Sequence, residues 1–329
     1  MIVTDVIRTL ADGRTKPGYF MDGFLAENLS GIPNYLKNSW DVVGIVSGNG
    51  KVRMGKSTLA FQVGYYCAWM VAGGRMNMKR DELTNELKVI SVTKPKNAVR
   101  FDLNENVVFK PEDLVEKAIA LHKKYGKNQV IVYDEGREGL DSKVMDAIHE
   151  VMEDFFQKCG YMGHIILLVL PNFFKLHEDY AVARSLFLID VVTDRKKRRG
   201  FFNFYNEHQK EWLYFLGKKR IGISLKYGAA RESFYGRFSS WMPFNKEEYD
   251  ALKEQSMKRK SLNKTAKRWK KQRDAAIYML YKFGKMSEHK IAEDLTELCG
   301  FKLEQSSAGF IIRAFEEKRE KDLDKDMSI

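Results

Sequence analysis

Up to residue 192 the apolar residues come in short unbroken runs; beyond it they fall mainly at helical spacing. DVVGIVS (41–47), QVIVYDEG (129–136), HIILLVL (164–170) and SLFLIDVV (185–192) are compact apolar stretches bounded by polar residues or glycine. Runs with so little polar alternation predict strands covered on both faces, as in a parallel sheet. LKVISV (87–92) and NVVF (106–109) are two further strand candidates. Between these stretches lie helical patterns. KSTLAFQVGYYCAWMVAG stops at Gly73-Gly74, a second helix starts at Pro111-Glu112-Asp113 and runs to about Tyr125, and a long amphipathic one spans about Ser142 to Lys158. Alternating strands and helices predict an α/β fold with a parallel sheet flanked by helices.

After residue 192 the pattern changes. GFFNFYNEHQKEWLYFLG (200–217) is expected to form a β-hairpin extension with a polar turn near Asn206 to Lys210. Residues 274–283, 287–298 and about 304–319 have helical periodicity, with a break at Cys299-Gly300-Phe301. Three short helices around a glycine turn resemble a helix-turn-helix unit, in which Gln305, Ser306, Ser307 and Arg313 would face a groove. The expected division is an N-terminal segment at 1–38 with no assigned role, a core at 39–245, a basic linker at 246–273 and a small helical module at 274–329.

Charge sharpens this division. The chain has 329 residues and a net charge of +12. Residues 1–190 hold 24 basic and 24 acidic side chains, so the whole excess lies beyond them. It is densest at Arg195–Arg199 and at 258–273, where nine basic residues stand without an acidic one and Trp269 lies among them. A polyanion such as DNA is the expected partner, since each Lys or Arg placed on a phosphate releases counterions. Cys67, Cys159 and Cys299 are too few and too scattered for a disulfide framework. The longest apolar run is far below the ~20 residues that span a bilayer. With no signal-peptide pattern either, a cytoplasmic location is expected.

One motif carries chemistry by itself. GKVRMGKS, Gly50 to Ser57, fills every fixed position of G-x-x-x-x-G-K-[ST], between a predicted strand and a predicted helix. Glycines let backbone N–H groups of Gly50, Lys51, Val52, Arg53, Met54 and Gly55 converge on phosphate oxygens, and the helix N-terminus adds positive potential. Lys56 would contact the β- and γ-phosphates of ATP, Ser57 would ligate Mg²⁺, and Thr58 would meet nearby phosphate oxygens. A second signal is Asp134-Glu135, which closes the strand at 130–133 and so faces the crevice at the C-terminal edge of the sheet. Asp134 is expected to hold the Mg²⁺ water shell, and Glu135 to polarise the attacking water. Asn172, at the end of HIILLVLPN, is a candidate γ-phosphate sensor. Arg184 is a candidate arginine finger acting across a subunit boundary, and Arg137 competes for that role. His164 and His177 lack metal-ligand spacing and read as structural.

Together, GKVRMGKS, VIVYDEG (130–136), CGYMGHIILLVLPN (159–172), VARSLFLIDVV (182–192) and the aromatic stretch at 200–217 resemble the FtsK/HerA-like branch of P-loop ATPases. The zonula occludens toxin-like proteins of phages and plasmids are particularly similar. The resemblance covers roughly residues 40–220. It implies a RecA-like P-loop fold, assembly into a homo-oligomeric ring (hexameric or pentameric), Mg²⁺-dependent ATP hydrolysis at subunit interfaces, and movement, packaging or partitioning of DNA. Two departures stand out: many relatives carry glutamine where this chain has Asn172, and zonula occludens toxin-like proteins often carry a membrane segment. The alternatives are a nucleotide-switched DNA-binding regulator and, against the weight of the acidic pair and basic arm, a nucleotide kinase.

Overall fold

The computed structural model describes residues 3–5, 20–38, 40–48, 53–84, 87–134, 142–194, 196–219, 228–258, 264–299 and 303–326. The chain divides into two compact units, Met1–Arg259 and Lys260–Ile329. The first contains β1 (Val3–Asp5), β2 (Phe20–Asp22), α1 (Gly23–Leu29), α2 (Ile32–Lys37), β3 (Val42–Ser47), α3 (Lys56–Val71), β4 (Arg75–Arg80), β5 (Leu87–Thr93), α4 (Leu103–Asn106), β6 (Val107–Val108) and α5 (Asp113–Tyr125). It continues with β7 (Val130–Asp134), α6 (Ser142–Cys159), β8 (Ile165–Val169), β9 (Ser185–Val192), β10 (Phe201–Tyr205), α7 (Glu207–Lys219), β11 (Phe234–Arg237) and α8 (Lys246–Lys258). The second unit holds α9 (Lys264–Lys282), α10 (Glu288–Cys299) and α11 (Gln305–Asp326).

A seven-stranded sheet in the order β11-β10-β9-β3-β8-β7-β6 organises the first unit. The five strands from β9 to β6 are parallel, and β10 and β11 extend them antiparallel. Each apolar run serves two cores by strict alternation. Val42 and Val46 of β3, Val130 and Val132 of β7, and Ile165 and Leu167 of β8 pack with α1, α2 and α3 on one face. Val43, Ile45, Ile131, Tyr133, Ile166 and Leu168 pack with α5 and α6 on the other. This double coverage explains why no polar alternation is visible in these strands. Helix α3 is buried almost all round, whereas α6 buries only a stripe at Ile148, Met152, Phe155 and Cys159. Within α3, Gly64 lets the helix approach the sheet: a Cβ there would lie 2.7 Å from the Phe101 ring and 3.2 Å from Val132.

The structure refines several expectations. LKVISV forms a strand, as expected, but outside the main sheet: among the described residues β5 pairs with β4, as a separate two-stranded ribbon. Its Lys88 and Ser91 interrupt the apolar run, and Ile90 and Val92 stay exposed, so it lacks the two apolar faces a central strand needs. The stretch 200–217 is not a hairpin but strand β10 followed by helix α7. Asn206 caps that helix by accepting the Gln209 N–H (3.0 Å), and Lys210, Leu213, Tyr214 and Gly217 form its buried face at i, i+3, i+4 and i+7. The segment expected to be a linker, 246–273, is helical at α8 and again from the start of α9. Finally, the part of the N-terminal segment from Met21 to Leu36 contributes to the core, where Met21, Leu25, Leu29, Ile32 and Leu36 are buried. Among the described residues, no helix is long and apolar enough to cross a membrane.

The second unit has a small core of Ile277, Ile291, Ala308 and Ile312, with Tyr278 stacked on Phe315 at 5.2 Å. Gln305, Ser306, Ser307 and Arg313 are all exposed on the first turns of α11. Most of the basic stretch 258–273 lies outside the residues whose side chains are described.

Candidate functional site

The C-terminal ends of the parallel strands form one row. Val46 of β3 pairs with Val169 of β8, and Val169 in turn with Asp134 of β7. On the other side Ser47 of β3 pairs with Asp190 of β9. Asp134 therefore stands two strands from β3, about 10 Å away at the usual strand spacing. Helix α3 reaches across this gap. Gly55, at its N-cap, has φ +97°, a left-handed conformation that suits glycine. This turn directs Ser57 toward β7, where its hydroxyl donates to Asp134 Oδ1 at 2.9 Å. The contact joins residues 77 apart in the chain.

Around this contact is a cavity of about 610 Å³. Arg53, Met54, Gly55, Lys56, Ser57, Thr58 and Asp134 line it, as the motif reading requires. Gly50, Lys51, Val52, Glu135 and Arg137, and with them the second carboxylate and one finger candidate, lie outside the described residues. Two other candidates are not brought to the site. The Asn172 Oδ1 accepts the Phe174 N–H at 3.0 Å, capping the short turn Phe173–Lys175, and it is Leu170 and Pro171 that line the cavity. Arg184 precedes β9, at the opposite end of that strand from Asp190, with its guanidinium 4.8 Å over the Phe156 ring. It therefore contributes nothing to the site of its own chain. His164 is structural: its Nδ1 accepts the Gln129 N–H at 3.0 Å, and burial pushes its pKa down to about 4.

The cavity also contains residues that motif reading missed: Arg199, Lys246, Tyr249, Asp250 and Lys253. Four of them belong to α8, at i, i+3, i+4 and i+7 from Lys246, so they share one helical face. That spacing was visible in the sequence; its destination was not. Local packing delivers α8 to the site. The Gln62 amide on α3 donates to the carbonyls of Ser239 and Trp241 at 2.8 Å each, pinning the segment that leads into α8. Phe61 then meets Phe244 and Tyr249 edge-on, both at 5.3 Å. At the end of this chain of contacts the Tyr249 hydroxyl donates to Asp134 Oδ2 at 2.5 Å and Lys253 Nζ donates to the same oxygen at 3.0 Å. Burial disfavours charge on Lys253, but Asp134 and Tyr249 together outweigh it and hold the ammonium above its usual pKa. Burial and the same carboxylate push the Tyr249 phenol up.

Asp190 is a further acidic group at this edge. It is 1 % exposed, and its Oδ1 has no hydrogen-bond partner. Burial pushes its pKa up to about 8 against the opposing charge of Lys56. A carboxyl shifted toward its neutral form subtracts less from the positive potential of the cavity. Five basic side chains, Arg53, Lys56, Arg199, Lys246 and Lys253, then face two carboxylates, Asp134 and Asp250, among the described lining. Such a cavity suits a polyanion. A hydroxyl beside a carboxylate also suits a hard cation such as Mg²⁺, which is commonly held by one or two protein oxygens plus substrate phosphates. Among the described residues there is no cluster of three or more His, Cys, Asp or Glu side chains that could hold a metal by itself. No protein-family model matches the chain, and no curated protein matches it at a significant level.

Proposed function

We propose that this chain binds Mg²⁺ and ATP in the cavity at the N-terminus of α3 and hydrolyses the nucleotide, and that turnover is coupled to DNA. The observation that carries this reading is the 2.9 Å bond from Ser57 to Asp134 within a basic cavity. It joins the end of the glycine-rich segment to the end of the acidic strand, as the chemistry requires. Lys56 supplies an ammonium for phosphate oxygens, and the N–H groups at the start of α3 supply aligned donors. The Ser57 hydroxyl and Asp134 carboxylate are the oxygens that would hold the metal, which when bound would neutralise charge on the β- and γ-phosphates. Glu135 follows Asp134 directly and is the candidate for orienting the attacking water. A parallel sheet with the phosphate-binding segment at the C-terminal end of a central strand is a favourable frame for this chemistry.

Coupling to DNA is supported by the basic excess confined to the part of the chain after residue 190, with its clusters at 195–199 and 258–273. Arg184, exposed and remote from its own site, can serve as a finger only for a neighbouring copy, so that role goes with a ring assembly. The test is ATP turnover by the full chain with and without single- and double-stranded DNA, beside Lys56→Ala and Glu135→Gln. Turnover raised severalfold by DNA and abolished by both substitutions supports a motor. One slow rate regardless of DNA, with nucleotide-dependent DNA binding, makes the protein a switched DNA-binding regulator instead.

A further inference from the structure

Both oxygens of Asp134 are engaged by the protein itself. Ser57 holds Oδ1 at 2.9 Å, while Tyr249 and Lys253 converge on Oδ2 at 2.5 and 3.0 Å. Lys253 Nζ also lies 2.9 Å from the Tyr249 hydroxyl oxygen, closing a three-membered network on one carboxylate oxygen. Asp134 is 1 % exposed, and the Lys253 side chain retains 25 % exposure. The ammonium is thus a positive charge inserted from the cavity side onto the carboxylate that the nucleotide-site reading assigns to the metal. The arrangement is over-determined for a simple surface ion pair. Tyr249 and Lys253 are one turn apart on α8, and the Gln62 amide and the Phe61 ring on α3 fix the approach of that helix.

A metal ion beside the Ser57 hydroxyl needs Asp134 as an acceptor for its coordinated water, and an ammonium on the same carboxylate is a like charge next to it. Two cations on one buried carboxylate repel, so occupancy by one disfavours the other. We infer that α8 is a clasp acting within its own chain: Lys253 is a tethered cation that competes with Mg²⁺ for Asp134, and Tyr249 is its second donor on the same oxygen. The clasp is closed in the metal-free protein. Nucleotide alone leaves it closed, and nucleotide with Mg²⁺ opens it. The inference rests on the nucleotide-site reading above.

The test measures binding, not turnover. The full chain is mixed with a fluorescent ATP analogue, and the anisotropy is followed as Mg²⁺ is added, giving the Mg²⁺ concentration at half-maximal binding. Lys253→Met, which keeps length and removes charge, is expected to lower that half-point by about fivefold, the upper range for a partly exposed ion pair. Tyr249→Phe, which keeps the ring packed on Phe61, is expected to shift it in the same direction by a smaller factor. Lys253→Arg retains the charge and is expected to keep the wild-type value. A merely structural pair would lower the melting temperature and leave the half-point unmoved in both Lys253→Met and Tyr249→Phe, and that result overturns the inference. Weaker binding at saturating Mg²⁺ without a lower half-point would make Lys253 a phosphate ligand and overturn it equally. Absence of any nucleotide binding by the wild type, with or without Mg²⁺, overturns the nucleotide reading and the clasp with it.

Discussion

Asp190 offers a stability test whose sign and size follow from its surroundings. Its carboxyl lies at the C-terminal end of β9, 1 % exposed and with Oδ1 unpartnered, and burial raises its pKa from an ordinary 3.8 to about 8. The charged group it feels is Lys56 of α3, which opposes the rise, while its carboxylate helps push up the phenol of Tyr205 on β10. Between these two pKa values the folded protein holds a proton that the unfolded chain has released, so stability falls as pH rises through that window. At 1.36 kcal/mol per pKa unit, the ceiling on this destabilisation is ~1.6 kcal/mol at pH 5 and ~5 kcal/mol at pH 8. Asp190→Asn keeps the shape and removes the titration. It is expected to raise the melting temperature, with a gain that grows from pH 5 to pH 8. A growth of ~2–3 kcal/mol, allowing for an effective dielectric well above that of a dry interior, corresponds to ~4–12 °C for a unit of this size. Differential scanning fluorimetry of wild type and variant at pH 5, 6, 7 and 8 measures it. A melting difference that stays constant over that range, or shrinks as pH rises, refutes the reasoning.

Two further substitutions probe the fold around the site. Gly55→Ala places a Cβ on a residue with φ +97° and 3.1 Å from the Phe238 ring, so the turn into α3 is expected to lose ~1–2 kcal/mol and nucleotide affinity to fall about tenfold with the far-UV circular dichroism unchanged; equilibrium binding of the fluorescent ATP analogue reads it out. Asn206→Ala removes the side-chain oxygen that caps α7 and is expected to cost ~1 kcal/mol, a fall of ~2–4 °C in melting temperature. An unchanged melting temperature would indicate that the cap contributes nothing to that helix.

Local sequence carried a good deal of this protein. The runs of β3, β7, β8 and β9 were readable because burial on both faces leaves a strand no polar positions, a property of the segment itself. The glycine-rich segment and Asp134 were readable because their spacing and their position after a strand are likewise local. LKVISV was readable as a strand, but not its place: Lys88 and Ser91 interrupt one face each, and the strand pairs with β4 in a separate ribbon. FFNFYNEHQKEWLYFLG was misread because its first five residues are strand and the remainder helix, and the boundary is the cap at Asn206.

The sequence by itself determined the α/β class, the strand that precedes the glycine-rich turn, and the two residues, Ser57 and Asp134, that meet at 2.9 Å. Only the tertiary structure decided that β8 lies between β3 and β7, that Asn172 and Arg184 stay away from their own chain's cavity, and that Asp190 is buried beside Lys56. It also brought Tyr249 and Lys253 back to Asp134 across 115 and 119 residues. The physical reason is range. Periodicity and capping are set by neighbours a few residues apart, whereas the charge and hydrogen bonding at a carboxylate depend on whichever groups packing delivers to it. Here aromatic contacts between Phe61, Phe244 and Tyr249 made that delivery, and no spacing along the chain records it.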